Sequence, residues 1–320
     1  MYLYSNIVGT FVFSQNFQIR EKILFNEKQL LEFAGKLSAG EVIETEKPFL
    51  EKFKNIEDLR QGKNQKALDA IAKELLGYTQ KMYENNLLVT KASVSLSVTD
   101  DLLIIQVSSS VDELAKSINL LSKRLREWFS YSLPEVEDRI TDHKKFAEIC
   151  LSDRKQLVQE FHVQHGMGRD LQKKDSIAIQ NLARTILELF RQKEEAERYL
   201  EDLMARVCPN MTAVAGALIG AKLITIGGSL RNLVVMPSST IQLLGAEKAL
   251  FKHMLNKKNV RPPKHGEIIN HPLVSSAPRE ERGRRARALA DKILLAVKVD
   301  YFKGQFIGDR LRKELEAKFA

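Results

Sequence analysis

Apolar side chains recur along much of this chain at three- and four-residue intervals, the period of an α-helix with one buried face. Leu114, Ile118, Leu121 and Leu125 form such a stripe, which ends near Trp128. Ser132-Leu133-Pro134 breaks it, because proline lacks the N–H a helix interior needs. Thr99-Asp100-Asp101 reads as the start of that helix, with carboxylates at the positive end of its dipole. Two longer repeats follow. Val136, Ile140, His143, Ala147, Cys150, Arg154, Leu157 and Phe161 keep a strict four-three spacing, and so do Leu182, Ile186, Leu189, Lys193, Ala196, Leu200, Leu203 and Val207. That is the coiled-coil period. The glycine-rich turn His165-Gly166-Met167-Gly168-Arg169-Asp170 between them predicts an antiparallel helical hairpin. Such a hairpin standing alone would expose much apolar surface. A second copy is therefore expected to cover it, through Ile140, Ala147, Leu157, Phe161, Leu182, Ile186, Leu189, Leu200 and Leu203. The other outcome is that the hairpin folds back on the chain's own helices. Its polar seam positions, His143, Arg154 and Lys193, weaken a simple two-helix seam.

The flanks read differently. Residues 2–13 mix β-branched and aromatic side chains in strand fashion. Helical spacing appears over 26–39 and 64–85, where Leu68, Ile71, Leu75 and Leu76 share a face, and Val89–Val98 alternates weakly, as an extended segment would. Beyond Pro209 and Asn210, residues 212–226 are rich in alanine and glycine. Gly216 and Gly220, four apart, permit close helix packing, and Gly227-Gly228 ends the helix. Further helices are expected over 241–255, 284–299 and 307–318, around a proline-rich loop at 256–281. The expected fold is mainly α: a small N-terminal α/β domain over 1–98, a helical linker and coiled-coil hairpin over 99–207, and an all-α domain over 208–320.

Charge changes this picture. Residues 1–115 hold 13 Lys and Arg against 16 Asp and Glu, whereas residues 226–320 hold 19 against 9. The excess base sits in the last third, the electrostatic footprint of a polyanion site. Two cysteines, Cys150 and Cys208, make no disulfide framework, which agrees with a reducing, cytoplasmic setting. No apolar run reaches the length of a membrane span, and the first residues lack the basic and apolar regions of a signal peptide.

The stretch Gly245-Ala246-Glu247-Lys248-Ala249-Leu250-Phe251-Lys252 resembles the hallmark of the Nop family, with Lys252 where the family pattern has arginine. Charge is kept there, and bidentate phosphate geometry is lost. Other parts of the pattern occur in order: Ala221-Lys222-Leu223-Ile224, Gly228-Ser229-Leu230, His271-Pro272-Leu273-Val274, Arg282-Gly283-Arg284 and Ala290-Asp291-Lys292, with Ile118–Trp128 upstream. The resemblance covers about residues 100–320, and the first hundred match only in position and character. It implies a scaffold of box C/D ribonucleoprotein particles, archaeal because no long charged tail is seen. Its C-terminal domain would grip kink-turn guide RNA together with a ribosomal-protein-like binder. The coiled coil would pair two copies, and the N-terminal domain would hold the methyltransferase fibrillarin. S-adenosylmethionine is expected on that partner and no cofactor on this chain. Two alternatives stay open: a kink-turn adaptor of the spliceosomal Nop type that never meets fibrillarin, and an RNA methyltransferase in its own right.

The residues themselves place an RNA site in the same region. Small Gly245 and Ala246 allow close backbone approach, and Lys248 and Lys252, four apart, share a helix face. Asn259, Arg261 and Lys264 follow in the loop, and Arg282, Arg284, Arg285, Arg287 and Lys292 open the next helix. The four arginines span a whole turn, so not all can face one ligand. Glu247 is expected to orient a neighbouring group, Gln242 and Asn232 are polar candidates, and Leu243, Leu244, Leu250 and Phe251 read as core or protein interface. Catalytic constellations are missing from the sequence. His162 and His165 share a face without a carboxylate or cysteine cluster to complete a metal site, no phosphate-cradling glycine loop sits between a strand and a helix, and no Gly-x-Ser-x-Gly elbow occurs. Catalysis is expected to come from a partner.

Overall fold

The structure is a computed structural model that describes every residue except 54–55, 60–64, 164–165 and 320. Asn64, at the expected start of a helix, and His165, at the expected hairpin tip, lie outside the described residues. The chain divides into two compact units, Met1–Thr99 and Asp100–Ala320.

The first unit is built on a hairpin of β1 (Tyr2–Asn6) and β2 (Gly9–Phe13). Asn6 Oδ1 accepts from the N–H groups of Val8 and Gly9, at 2.8 and 3.3 Å, and so shapes the two-residue turn. A Cβ on Gly9 would lie 2.2 Å from the Ile23 carbonyl oxygen, so only glycine lets β3 (Ile19–Leu24) pair there. A short β4 (Glu57–Asp58) pairs parallel with β1, giving the order β3-β2-β1-β4. Helices α1 (Glu27–Ser38), α2 (Lys47–Lys52), α3 (Gln65–Glu74) and α4 (Thr79–Leu96) complete the unit. An Asn26–Gln29 capping box starts α1, and Phe11, Phe13, Leu59 and Ile71 fill one core. Val89–Val98, expected to be extended, runs almost entirely within α4. That helix buries none of its side chains, so no core imposed a helical spacing on the segment.

The second unit hangs on two long antiparallel helices, α5 (Asp100–Phe129) and α9 (Lys173–Val207). Ile104 near the start of α5 packs with Leu200 and Leu203 near the end of α9, while Leu125 and Phe129 pack with Ile179, Ala183 and Ile186. A helical hairpin is thus present, but its first arm is α5 rather than residues 136–161. Those residues form three short helices, α6 (Pro134–Glu137), α7 (His143–Ile149) and α8 (Arg154–Glu160). Arg126 explains the first break. Its guanidinium pairs with the Glu137 carboxylate at 2.9 Å and donates to the carbonyls of Ile140, at 2.6 Å, and Thr141, at 3.1 Å, so the break between α6 and α7 is satisfied without further helix. Asp142 then caps α7 by accepting from the Lys145 N–H at 2.8 Å.

The expected pairing surface is corrected accordingly. Ala147, Leu157 and Ile186 are buried in the core between α5, α7, α8 and α9, and Leu200 and Leu203 are buried in the next core. Ile140, Phe161 and Leu182 pack on the first of these, and Leu189 is half-buried. The seven-residue spacing is real, but its seam faces the chain's own helices.

Beyond Val207, one core continues without interruption from Leu200, Leu203 and Met204 into Cys208, Met211 and Leu223. It is completed by α10 (Pro209–Ala215), α11 (Ala217–Gly227), α12 (Leu230–Val235), α13 (Ser238–Leu243), α14 (Glu247–Leu255), α15 (Pro272–Ser275), α16 (Arg282–Tyr301) and α17 (Gly308–Ala317). Two expected helices are each split at a glycine of positive φ: Gly216, at 79°, separates α10 from α11, and Gly245, at 88°, precedes α14. Gly220 allows the expected close packing, since a Cβ there would meet Met204 Cε at 2.8 Å. Among the described residues, no single helix is long and apolar enough to cross a membrane.

Candidate nucleic-acid interface

Helix α14 is where the cations and the fold separate from the core. None of its residues is buried. Lys248 and Lys252 are exposed one turn apart, beside Phe251, which is 63% exposed, and Leu255, which is 89% exposed. The helix is held out from the body by local hydrogen bonds. Glu247 Oε1 accepts from the Gly245 N–H at 2.7 Å, as expected of a residue that orients its neighbour. The ring of His253 contacts the Val260 carbonyl, which folds the 256–260 loop back on the helix.

The base of this protrusion is a tight crossing of two chain segments. The Gly266 N–H donates to the Gln242 carbonyl at 2.8 Å, and the Glu267 N–H to the Leu244 carbonyl at 2.7 Å. A Cβ on Gly266 would lie 1.9 Å from the Leu244 oxygen, so the crossing admits no other residue. Gln242 belongs to it: its side chain is almost fully buried and donates to the Lys264 carbonyl at 2.6 Å. Gln242 is therefore a support of the loop, its side chain turned into the crossing rather than out to a ligand. Asn232 likewise gives its amide to the Gly227 carbonyl, at 3.0 Å.

The arginine cluster divides by role. Arg282 donates to the carbonyls of Ala277, at 3.0 Å, and Ser275, at 3.2 Å, so it fastens the segment before α16. Arg285 pairs with Glu281 at 3.0 Å and lies over the Phe319 ring, 5.3 Å from its centroid. Lys292 is held by Glu314. Arg284, over the same ring at 5.9 Å, and Arg287 stay exposed. The Lys264 side chain lies against Gly283, where a Cβ would meet its Cδ at 3.3 Å, so the 264 loop reaches the first turn of α16. Of the cations the sequence pointed to, those exposed without an ion pair among the described residues are thus Lys248, Lys252, Arg261, Lys264, Arg284 and Arg287, with Asn259 exposed among them; Lys257, Lys258 and Arg279 join them. Burial, together with the nearby charges of Arg282 and Lys264, holds His265 below the ordinary imidazole range, so it stays neutral within this basic region.

Sequence reasoning missed Met254 and Leu255 as part of the exposed tip; the signal was the apolar pair directly after the cations. It also missed the locking role of Gly266, which only the crossing reveals. A separate cleft of about 1010 Å³ lies between α5, α9, α11 and α17. Its cations are paired, Lys222 with Asp112, Lys193 with Glu197 and Arg312 with Glu316, so it lacks the free positive charge of the α14 face. Among the described residues, no group of His, Cys, Asp and Glu is placed to hold a metal ion.

Together these features give the second, helical unit a cationic protrusion with apolar side chains at its tip. The chain belongs to the Nop family: the family described as "snoRNA binding domain, fibrillarin" matches residues 110–320. An uncharacterised NOP5 family protein of Methanocaldococcus jannaschii is 36% identical over 93% of this chain and 79% of its own length. Nucleolar protein 56 of Bos taurus is 32% identical over 72% of this chain. The chain matches 43% of that relative's length. A solved fibrillarin/Nop5p complex aligns over 96% of this chain and 97% of its own, at 21% identity and a TM-score of 0.45.

Proposed function

We propose that this chain is the non-catalytic scaffold of a box C/D guide-RNA 2′-O-methylation particle. The observation that carries the reading is the α14 protrusion, where Lys248 and Lys252 stand free on a helix that buries none of its own side chains. Such a surface suits a folded RNA, which is recognised through shape, phosphates and 2′-hydroxyls more than through base edges. Phe251, Met254 and Leu255 at the same tip suit a protein already seated on that RNA, the ribosomal-protein-like kink-turn binder. The family description, which names snoRNA binding and fibrillarin, supports RNA and fibrillarin as partners. In this reading the N-terminal unit holds fibrillarin, which carries S-adenosylmethionine, and the scaffold pairs with a second copy.

Reconstitution tests it. Guide RNA, kink-turn binder and fibrillarin are mixed with and without this chain, and methyl transfer to a complementary RNA is measured. Transfer that depends on the chain is expected. Equal transfer in its absence, or no retention of the chain by RNA bearing the binder, overturns the reading.

A further inference from the structure

Three aromatic rings stand in solvent at the end of α16 opposite its arginine-rich start. Phe302 is 72% exposed and Phe306 54%, and Tyr301 is also exposed. Tyr301 and Phe302 meet edge to face, with centroids 5.1 Å apart. Leu295 and Lys298, both exposed, share their side of the helix by the spacing 295, 298, 302. Rings left in water forgo the stabilisation that burial would give them.

The segment that carries them is not slack. The Gly304 N–H donates to the Val299 carbonyl at 2.8 Å, and the Lys303 N–H to the Asp300 carbonyl at 3.2 Å. At the far side, the Ile307 N–H donates to Asn210 Oδ1 at 2.6 Å, and Asn210 is tied in turn to buried Asp300. The rings are thus displayed from a loop fixed at both ends, so a ligand that lands on them pays little ordering cost.

The surrounding charge decides what kind of ligand. Lys298 and Lys303 are exposed and have no ion pair among the described residues, and the exposed acids nearest along the chain are Asp291, one turn before Leu295, and Asp309. An apolar protein surface laid over the rings would strip water from unpaired ammonium groups. Unpaired nucleotides satisfy both features at once, because bases stack on aromatic faces while phosphates meet cations.

We propose that the Tyr301–Phe306 loop is a second RNA contact, which takes unpaired nucleotides with bases on Phe302 and Phe306 and phosphates at Lys298 and Lys303. The proposal rests on the RNA-binding reading above. The 20 residues of α16 put this loop about 30 Å from the start of the helix. One RNA touches both ends only if a strand continues past its folded element.

The test uses the full chain and two labelled RNAs, each a kink-turn RNA bearing its binder. One is blunt and the other carries an unpaired extension of about ten uridines. The extension is expected to tighten binding, and the double variant Phe302→Ala with Phe306→Ala to cancel that gain, a loss of about 30-fold or more. Affinity for the blunt RNA stays unchanged, and Phe302→Trp retains the gain. Equal affinity of the parent chain for both RNAs overturns the proposal and leaves the first reading standing. Failure to bind either RNA removes both. If the double variant instead splits a self-associated species in light scattering, with no effect of the extension, the loop is a contact between copies and the proposal falls.

Discussion

Asn210 and Asp300 close the C-terminal helices into one body. The Asn210 amide donates to Asp300 Oδ1 at 2.7 Å, across 90 residues of chain. The N–H groups of Asn210 and Met211, at the start of α10, donate to the same carboxylate at 3.1 and 2.8 Å. One buried acid thus satisfies the positive end of α10 and, through Asn210, fixes the loop before α17. Asp300→Ala leaves those donors without an acceptor and is expected to cost about 3 kcal/mol, seen as a lower thermal midpoint. Burial raises the Asp300 carboxyl above its ordinary 3.8 despite these hydrogen bonds. A raised carboxyl contributes stability at acid pH and loses it as the pH climbs through the raised value. The gap between parent and variant should therefore narrow from about pH 4 toward neutrality. A gap that widens with pH would contradict the assignment.

Leu200 distinguishes a folding core from a pairing seam. It is 1% exposed and packs with Ile104, Leu203 and Met204. Leu200→Asp buries a charge with no partner and is expected to destabilise the second unit by roughly 4 kcal/mol or more. Circular dichroism should show lost helix and an early melt. A variant that melts like the parent but sediments as a smaller species would restore Leu200 to an interface between copies.

The salt dependence of RNA binding sorts the cations. Lys248, Lys252 and Arg287 are exposed, whereas Arg285 is held by Glu281 and Phe319. Each of the first three, changed to alanine, should lower the slope of log affinity against log salt by about 1. Arg285→Ala should lower the melting temperature and leave the slope as it was. A reversed pattern, with the slope moved by Arg285 alone, would relocate the site.

How much of this was legible in the sequence depends on what each residue touches. The α5 stripe was readable because Leu121 and Leu125 pack into the core that Ile179, Ala183 and Ile186 of α9 share. The 136–161 repeat was readable as periodic but not as broken, since Val136, Phe146 and Leu157 serve one core from three short helices. Arg126 satisfies the first break from a position ten or more residues upstream, beyond any local signal. Lys248 and Lys252 announced themselves by spacing and by the family motif. Gln242 did not: an amide on the same stretch looks like a ligand group until the Lys264 carbonyl is seen to occupy it. The difference between Arg285 and Arg287 likewise depends on Glu281 and Phe319, one local and one from the chain's far end.

The two thiols give a test of burial that needs no RNA. Cys150 lies in the core beneath α5 and α7, and Cys208 sits at the junction of α9 and α10. Burial pushes both thiols up, Cys208 to about 12 with help from the nearby carboxylates of Asp300 and Asp101. A thiol in that state supplies almost no thiolate at neutral pH, and the thiolate is the nucleophile. Both should react with a disulfide reagent only as fast as the fold opens, and both should react at once in denaturant. Asp300→Ala tests the coupling: it loosens the α10 junction, so Cys208 should gain reactivity before Cys150, which belongs to a separate core. Labelling followed by peptide mass measurement reads each site. Rapid native labelling of Cys208 in the parent chain would mean that the α9–α10 junction is open to solvent, against the burial described above.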